Sequence, residues 1–204
     1  RKPGADILLS KDDVKESDLI QCKLLHSGSV SLSEAPCKDA VFYAMEMANS
    51  LGKLVSFDIN YRDMIWGDIE KCKVEVDHIL EFVDFLKVSD EELYFVGGED
   101  HIDAFMEKYK IAVVVETLGA KGAKLFFRGN VIEIAGKKVE AMDATGAGDA
   151  FWGGFLSKLL LSGVEKVTDL TEELLTAALQ YGNTAGSLCV QKSGGIPALP
   201  MRKE

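Results

Sequence analysis

Apolar positions along this chain switch repeatedly between short continuous runs and a spacing of three to four, the signatures of buried strands and of amphipathic helices. Residues 24–30 read as a short apolar strand. In 36–51, Val41, Ala44, Met45, Ala48 and Leu51 share one helical face, with Pro36 near the first turn and Gly52 past the end. Residues 53–60 predict a strand with a polar end, 68–82 a helix and 85–88 another strand. Ser89-Asp90-Glu91-Glu92 fits a capping box that opens a further helix. A helix over 101–109 and a buried strand over 111–115 follow. Short strands at 125–127 and 131–134 flank Arg128-Gly129-Asn130, whose turn chemistry predicts a hairpin. The last helices are expected over 146–161 and 171–188. Such alternation argues an α/β fold with a doubly wound, mostly parallel sheet. No repeat or linker interrupts it, so 1–204 reads as one domain.

In sheets of that kind, ligands bind beyond the carboxyl ends of strands. Four polar groups each follow an apolar run: Asp58 to Arg62, Lys87 to Glu92, Thr117 to Gly119 and Asp143 to Asp149. The last carries the most chemistry. A β-leaning run over 139–142 enters Asp143-Ala144-Thr145-Gly146-Ala147-Gly148-Asp149, and an apolar run to 161 leaves it, which predicts strand, glycine-rich loop and helix. Small residues let the N–H groups of Gly146, Ala147 and Gly148 converge, and the helix start adds positive charge, so the turn suits an anion. An acid inside an anion pocket is a poor phosphate ligand but a good general base, and Asp149 takes that role here. A dinucleotide loop needs glycine where Phe151 stands, and no Gly-Lys-Ser/Thr of a Walker loop occurs.

The smaller groups have plainer alternatives. Arg62 offers a planar fork for phosphate or sugar oxygens, against a surface arginine paired with Asp63 or Asp58. Asn60 accompanies it as a substrate contact, while Asp58 can simply shape its turn. Thr117 and Gly119 put a hydroxyl beside turn amides, suited to nucleotide phosphate or ribose. His26, His78 and His101 show no metal-ligand spacing.

Asp-Ala-Thr-Gly-Ala-Gly-Asp-Ala-Phe (143–151) closely resembles the C-terminal signature of the ribokinase-like (PfkB) sugar kinases. The segments 1–6, 26–32, 57–62 with Trp66, and 117–123 fall in that family's order and look most like its fructokinase and 2-keto-3-deoxygluconate kinase branches. The resemblance begins in mid-family: the first strands and most of a β lid have no counterpart, which makes the chain a C-terminal portion of the family domain. It implies an ATP-dependent kinase that phosphorylates a primary hydroxyl of a small ketose, fructose first, with 2-keto-3-deoxygluconate as the alternative. A nucleotide-binding remnant without catalysis is the rival from another class. Among site residues it implies Thr117, Gly119, Gly122, Asn183 and Gly194 for the nucleotide and Arg1, Asn60 and Arg62 for the substrate. Asp143 and Thr145 match positions that hold a monovalent cation, K⁺, in potassium-activated members. Glu92 matches an acid associated with Mg²⁺, here through water, although Ser89 replaces the usual asparagine of that motif.

Composition narrows the partners. The net charge is −10, from 23 basic and 33 acidic residues, which disfavours nucleic acid and anionic membrane. ATP remains compatible, since Mg²⁺ and local N–H donors offset the overall field. Cys22, Cys37, Cys72 and Cys189 lack metal-site rhythm and read as reduced structural thiols. No apolar run approaches the ~18 residues of a membrane span and no signal peptide is evident, so the cytoplasm is the expected compartment. The expected partners are a sugar and ATP, with a homodimer left open.

Overall fold

The computed structural model describes residues 4–201. Six strands form one mixed sheet in the order β1-β2-β3-β4-β5-β6. The chain divides into two compact units, one running to Val114 with Glu165–Val167 added, the other taking Val115–Val164 and the chain from Thr168 onward.

In the first unit, α1 (Glu16–Gln21) is a short helix that the apolar pattern did not predict. Strand β1 (Leu24–Gly28) leads to α2 (Cys37–Ser50), which buries Cys37, Ala40, Val41, Met45 and Ala48 at helical spacing, close to the predicted face. Strand β2 (Leu54–Asp58) is buried at every position, as expected of a parallel strand covered on both faces. After α3 (Asp63–Trp66) and α4 (Ile69–Ile79), β3 (Phe85–Ser89) pairs parallel with β2, as β2 does with β1. The register sets Gly28 beside Asp58 and Asp58 beside Lys87, so their polar ends lie side by side. The capping box of Ser89 and Glu92 is present, but it opens a 3₁₀ helix over Asp90–Val96 rather than an α-helix. Helix α5 (Ile102–Tyr109) closes this run.

Strand β4 (Val113–Thr117) begins in the first unit and ends in the second, two residues later than the apolar run suggested. In the second unit, β5 (Gly122–Phe127) and β6 (Asn130–Ala135) make the predicted hairpin. Arg128 and Gly129 both have positive φ, 51° and 76°, the backbone that a two-residue turn between twisted strands requires. Helix α6 (Ala147–Leu161) buries Phe151, Trp152, Phe155 and Leu159, and α7 (Glu172–Cys189) buries Leu175, Leu179 and Cys189. Phe151, which excludes a dinucleotide loop, is therefore a core residue.

One expectation fails. Residues 139–142 form no strand. Met142 is 72% exposed, and the N–H groups of Met142 and Asp143 both donate to a single carbonyl, that of Val190, at 2.7 and 3.2 Å. A β-leaning run does not make a strand where the amides find no ladder.

Among the described residues, no helix is long and apolar enough to cross a membrane. The four cysteines form no disulfide.

Candidate active site

In the second unit, the glycine-rich turn is fixed from below by Asp143. Its Oδ1 accepts the N–H of Thr145 at 2.9 Å and its Oδ2 accepts the N–H of Gly194 at 2.8 Å, across 51 residues of sequence. The Thr145 hydroxyl, the Gly194 amide and the Thr145 amide together lower the Asp143 carboxyl to about 2. Gly146 then turns with φ 77°, capping α6. A Cβ there would lie 3.3 Å from Gly195 Cα, so this glycine is needed both for its backbone and for the close approach of the 194–195 loop.

The cradle differs in detail from the expected three amides. The Ala147 N–H turns back to the Ala144 carbonyl at 3.1 Å. Gly148 and Asp149, in the first turn of α6, have no helical carbonyl behind their N–H groups. Asp149 is exposed and lines a cavity of about 880 Å³ with Gly153, Ser157, Tyr181 and Leu188. A carboxylate presented to solvent beside open first-turn amides can accept a proton next to a bound anion. Burial, and then the charges of Asp143 and Asp149, push the neighbouring Cys189 thiol up.

The nucleotide candidates are placed differently. Thr117 ends β4, and Gly119, with φ 55° and open space beyond it, starts the following turn. Gly122 is a buried strand residue with φ 111°, where a Cβ would strike the Ile134 carbonyl. Its glycine is thus explained by the hairpin alone. Asn183 donates its side-chain amide to the Ala135 carbonyl at 2.9 Å, tying α7 to the end of β6.

In the first unit, Asn60 follows β2 in a left-handed conformation, φ 40°. Arg62 is exposed, and its Nη1 donates to the Tyr61 carbonyl at 2.9 Å rather than to Asp63 or Asp58. Asp58 is taken by Lys87, whose Nζ lies 2.9 and 2.8 Å from the two carboxylate oxygens, with both residues about 5% exposed or less. Arg1 lies outside the described residues. A cavity of this unit, about 670 Å³ beside Leu25, His26 and Ser27, takes in none of Asn60, Arg62 or Glu92.

The amino-acid sequence matches the family model described as pfkB family carbohydrate kinase over residues 1–202. The chain belongs to that family. It is 35% identical to the probable fructokinase-4 of Arabidopsis thaliana, covering 100% of this chain and 63% of that protein. A fructokinase from Xylella fastidiosa with bound ATP superposes with a TM-score of 0.90 at 26% identity, over 98% of this chain and 65% of that one. A fructokinase variant from Vibrio cholerae O395, bound to fructose, ADP and potassium ion, does so at 0.83 and 30% identity, over 98% and 63%. The chain thus spans less than two thirds of the length of these relatives.

In this pfkB kinase chain, sequence reasoning found the glycine-rich turn and both of its acids. It missed Lys87 as the partner of Asp58, because the two are 29 residues apart and only the β2–β3 register joins them. It assigned Glu92 to Mg²⁺ through water, and the structure shows what else this carboxylate does. The Glu92 carboxylate is only 7% exposed; its Oε1 accepts the Tyr61 N–H at 2.7 Å and its Oε2 the Ser89 N–H at 2.9 Å. Among the described residues, no group of three His, Cys, Asp or Glu side chains is placed to hold a metal ion.

Proposed function

We propose that this chain carries the phosphoryl-transfer machinery of an ATP-dependent sugar kinase, with a primary hydroxyl of a small ketose as acceptor. Fructose is the first candidate, in line with the fructokinase names of its relatives. The observation that carries the reading is the exposed Asp149 one turn into α6, behind a left-handed Gly146 whose loop Asp143 ties to Gly194.

Asp149 takes the proton from the sugar hydroxyl as its oxygen bonds to the γ-phosphorus. The bond from that phosphorus to the bridging oxygen breaks, and ADP leaves with the electron pair. The amides of Gly148 and Asp149, with the helix dipole, face the charge on the transferring oxygens. Chemistry of this type asks the protein for position and electrostatics rather than a covalent nucleophile. Asn60, Arg62 and Arg1 are proposed for the sugar, and Thr117, Gly119 and Asn183 for the nucleotide.

Two ions belong to the proposal. Mg²⁺, arriving with ATP, would supply neutralising charge, as such sites commonly do with few protein ligands. Glu92 does not fit as its direct ligand, with both oxygens engaged by amides in a buried position. K⁺ is assigned to the turn: Asp143, whose two oxygens also accept amides but which is less buried than Glu92, stays ionised far below neutral pH and, with Thr145, lies against the 194–195 loop, where a monovalent cation would add charge behind the turn.

An ADP-release assay of the protein with fructose, 2-keto-3-deoxygluconate, ribose or no sugar tests the reading. Sugar-dependent ADP formation, greatest with fructose and abolished by Asp149→Asn, is expected. ADP formation indifferent to any sugar would overturn it.

A further inference from the structure

Three ties join the end of β2 to the stretch that follows it in the sheet, residues 87–92. The Asp58 carboxylate holds Lys87 Nζ in a buried pair, the Ile59 N–H donates to the Lys87 carbonyl at 3.1 Å, and the Tyr61 N–H donates to Glu92 Oε1 at 2.7 Å. Between the last two sits Asn60, a residue with a side chain held at φ 40°. Few residues with a side chain adopt left-handed backbone, asparagine among those that tolerate it best, and here the bonds on either side hold it in place. Glu92 is the fixing group on the far side. Its second oxygen is anchored by the Ser89 N–H, so the carboxylate bridges two backbone segments and cannot swing away without breaking both bonds.

We infer that Glu92 is a positioning residue: it clamps the Asn60–Arg62 turn through the Tyr61 amide, and so sets the sugar-facing loop rather than binding Mg²⁺. The inference rests on the sugar-kinase reading only for the word sugar; the clamp is a property of the loop. Its chemistry is that of a charge-assisted hydrogen bond. An ionised acceptor strengthens a backbone bond roughly twofold over a neutral one, and little water reaches this one. Arg62 begins the next helix as its N-cap and Nη1 reaches back to the Tyr61 carbonyl. The same peptide segment that Glu92 holds by its N–H therefore also seats the guanidinium.

Hydrogen exchange of single amides in the whole chain, read by NMR, tests the clamp without reference to catalysis. The wild-type Tyr61 amide should be protected to a degree similar to strand β2, with or without added Mg²⁺. In Glu92→Gln, which keeps one carbonyl acceptor but loses the charge, Tyr61 exchange should quicken at least about tenfold, the equivalent of one bond to a charged group. Amides of β2 should be unchanged. Where turnover is measurable, the same variant should raise the sugar KM with little change in kcat, and leave the Mg²⁺ dependence where it was. An unprotected Tyr61 amide in the wild-type chain overturns the clamp, as does unaltered exchange in the variant. A shifted Mg²⁺ requirement with unaltered Tyr61 exchange would return Glu92 to the metal. A chain that turns over no sugar, yet shows the exchange result, refutes the functional reading and leaves the clamp standing.

Discussion

In the second unit, the groups suited to a phosphate are main-chain amides at the start of α6, presented by a glycine and tied down by one carboxylate, Asp143. In the first unit, the polar residues at the strand ends are side chains locked in pairs: Asp58 with Lys87, and Glu92 with the Tyr61 and Ser89 amides. The difference suits the ligands proposed for the two regions. A phosphate presents several equivalent oxygens and is met by convergent N–H groups that need no side chain. A sugar presents hydroxyls in fixed directions, and side chains that meet it must be pre-positioned. One region fails when an atom is added, the other when a partner is removed.

The largest expected effect lies in the second unit. Asp149→Asn should lower kcat by about 10²-fold or more while nucleotide affinity stays within error, as read by steady-state kinetics and titration. Near-normal turnover would take Asp149 out of the chemistry.

Next comes the buried pair. Lys87→Met removes the cation from the buried Asp58 carboxylate, and should cost about 3–5 kcal/mol in urea unfolding. Asp58→Leu together with Lys87→Met should recover most of that loss. Additive losses would mean that the two groups do not act as a pair.

A smaller loss is expected from adding one methyl group. Gly146→Ala puts a side chain at φ 77° and 3.3 Å from Gly195 Cα. It should cost about 1–2 kcal/mol of stability, seen as a lowered Tm, whereas Gly153→Ala, with open space around it, should cost nothing measurable.

The mildest effect is in pH. The Asp143 carboxyl is depressed from 3.8 to about 2 in the folded chain, so it contributes stability above the unfolded value and loses it as pH falls through the folded one. The Tm difference between wild type and Asp143→Asn should therefore be constant above about pH 5 and shrink between about pH 4 and pH 2. A difference that grows toward low pH would contradict the hydrogen bonds drawn for Asp143.

The two regions were not equally legible in the sequence. The turn at Gly146 could be read because its determinants are local: glycines, flanking acids and the apolar run of α6 within about one helical turn of each other. The capping box of Ser89 and Glu92 was legible for the same reason. What it could not reveal is that Glu92 Oε1 accepts the N–H of Tyr61, 31 residues away, or that Lys87 neutralises Asp58. Those contacts exist only once the strand register is set. The false strand at 139–142 shows the converse: a β-leaning run whose Met142 amide goes to the Val190 carbonyl and not to a neighbouring strand.

The division between the regions is tested most directly by titrating Mg·ATP into the wild-type chain, Gly146→Ala and Arg62→Met by calorimetry. The account predicts that Gly146→Ala weakens nucleotide binding by at least about tenfold, the worth of one charge-assisted hydrogen bond, while Arg62→Met binds as wild type. Equal losses in the two variants, or a loss in Arg62→Met alone, would contradict it.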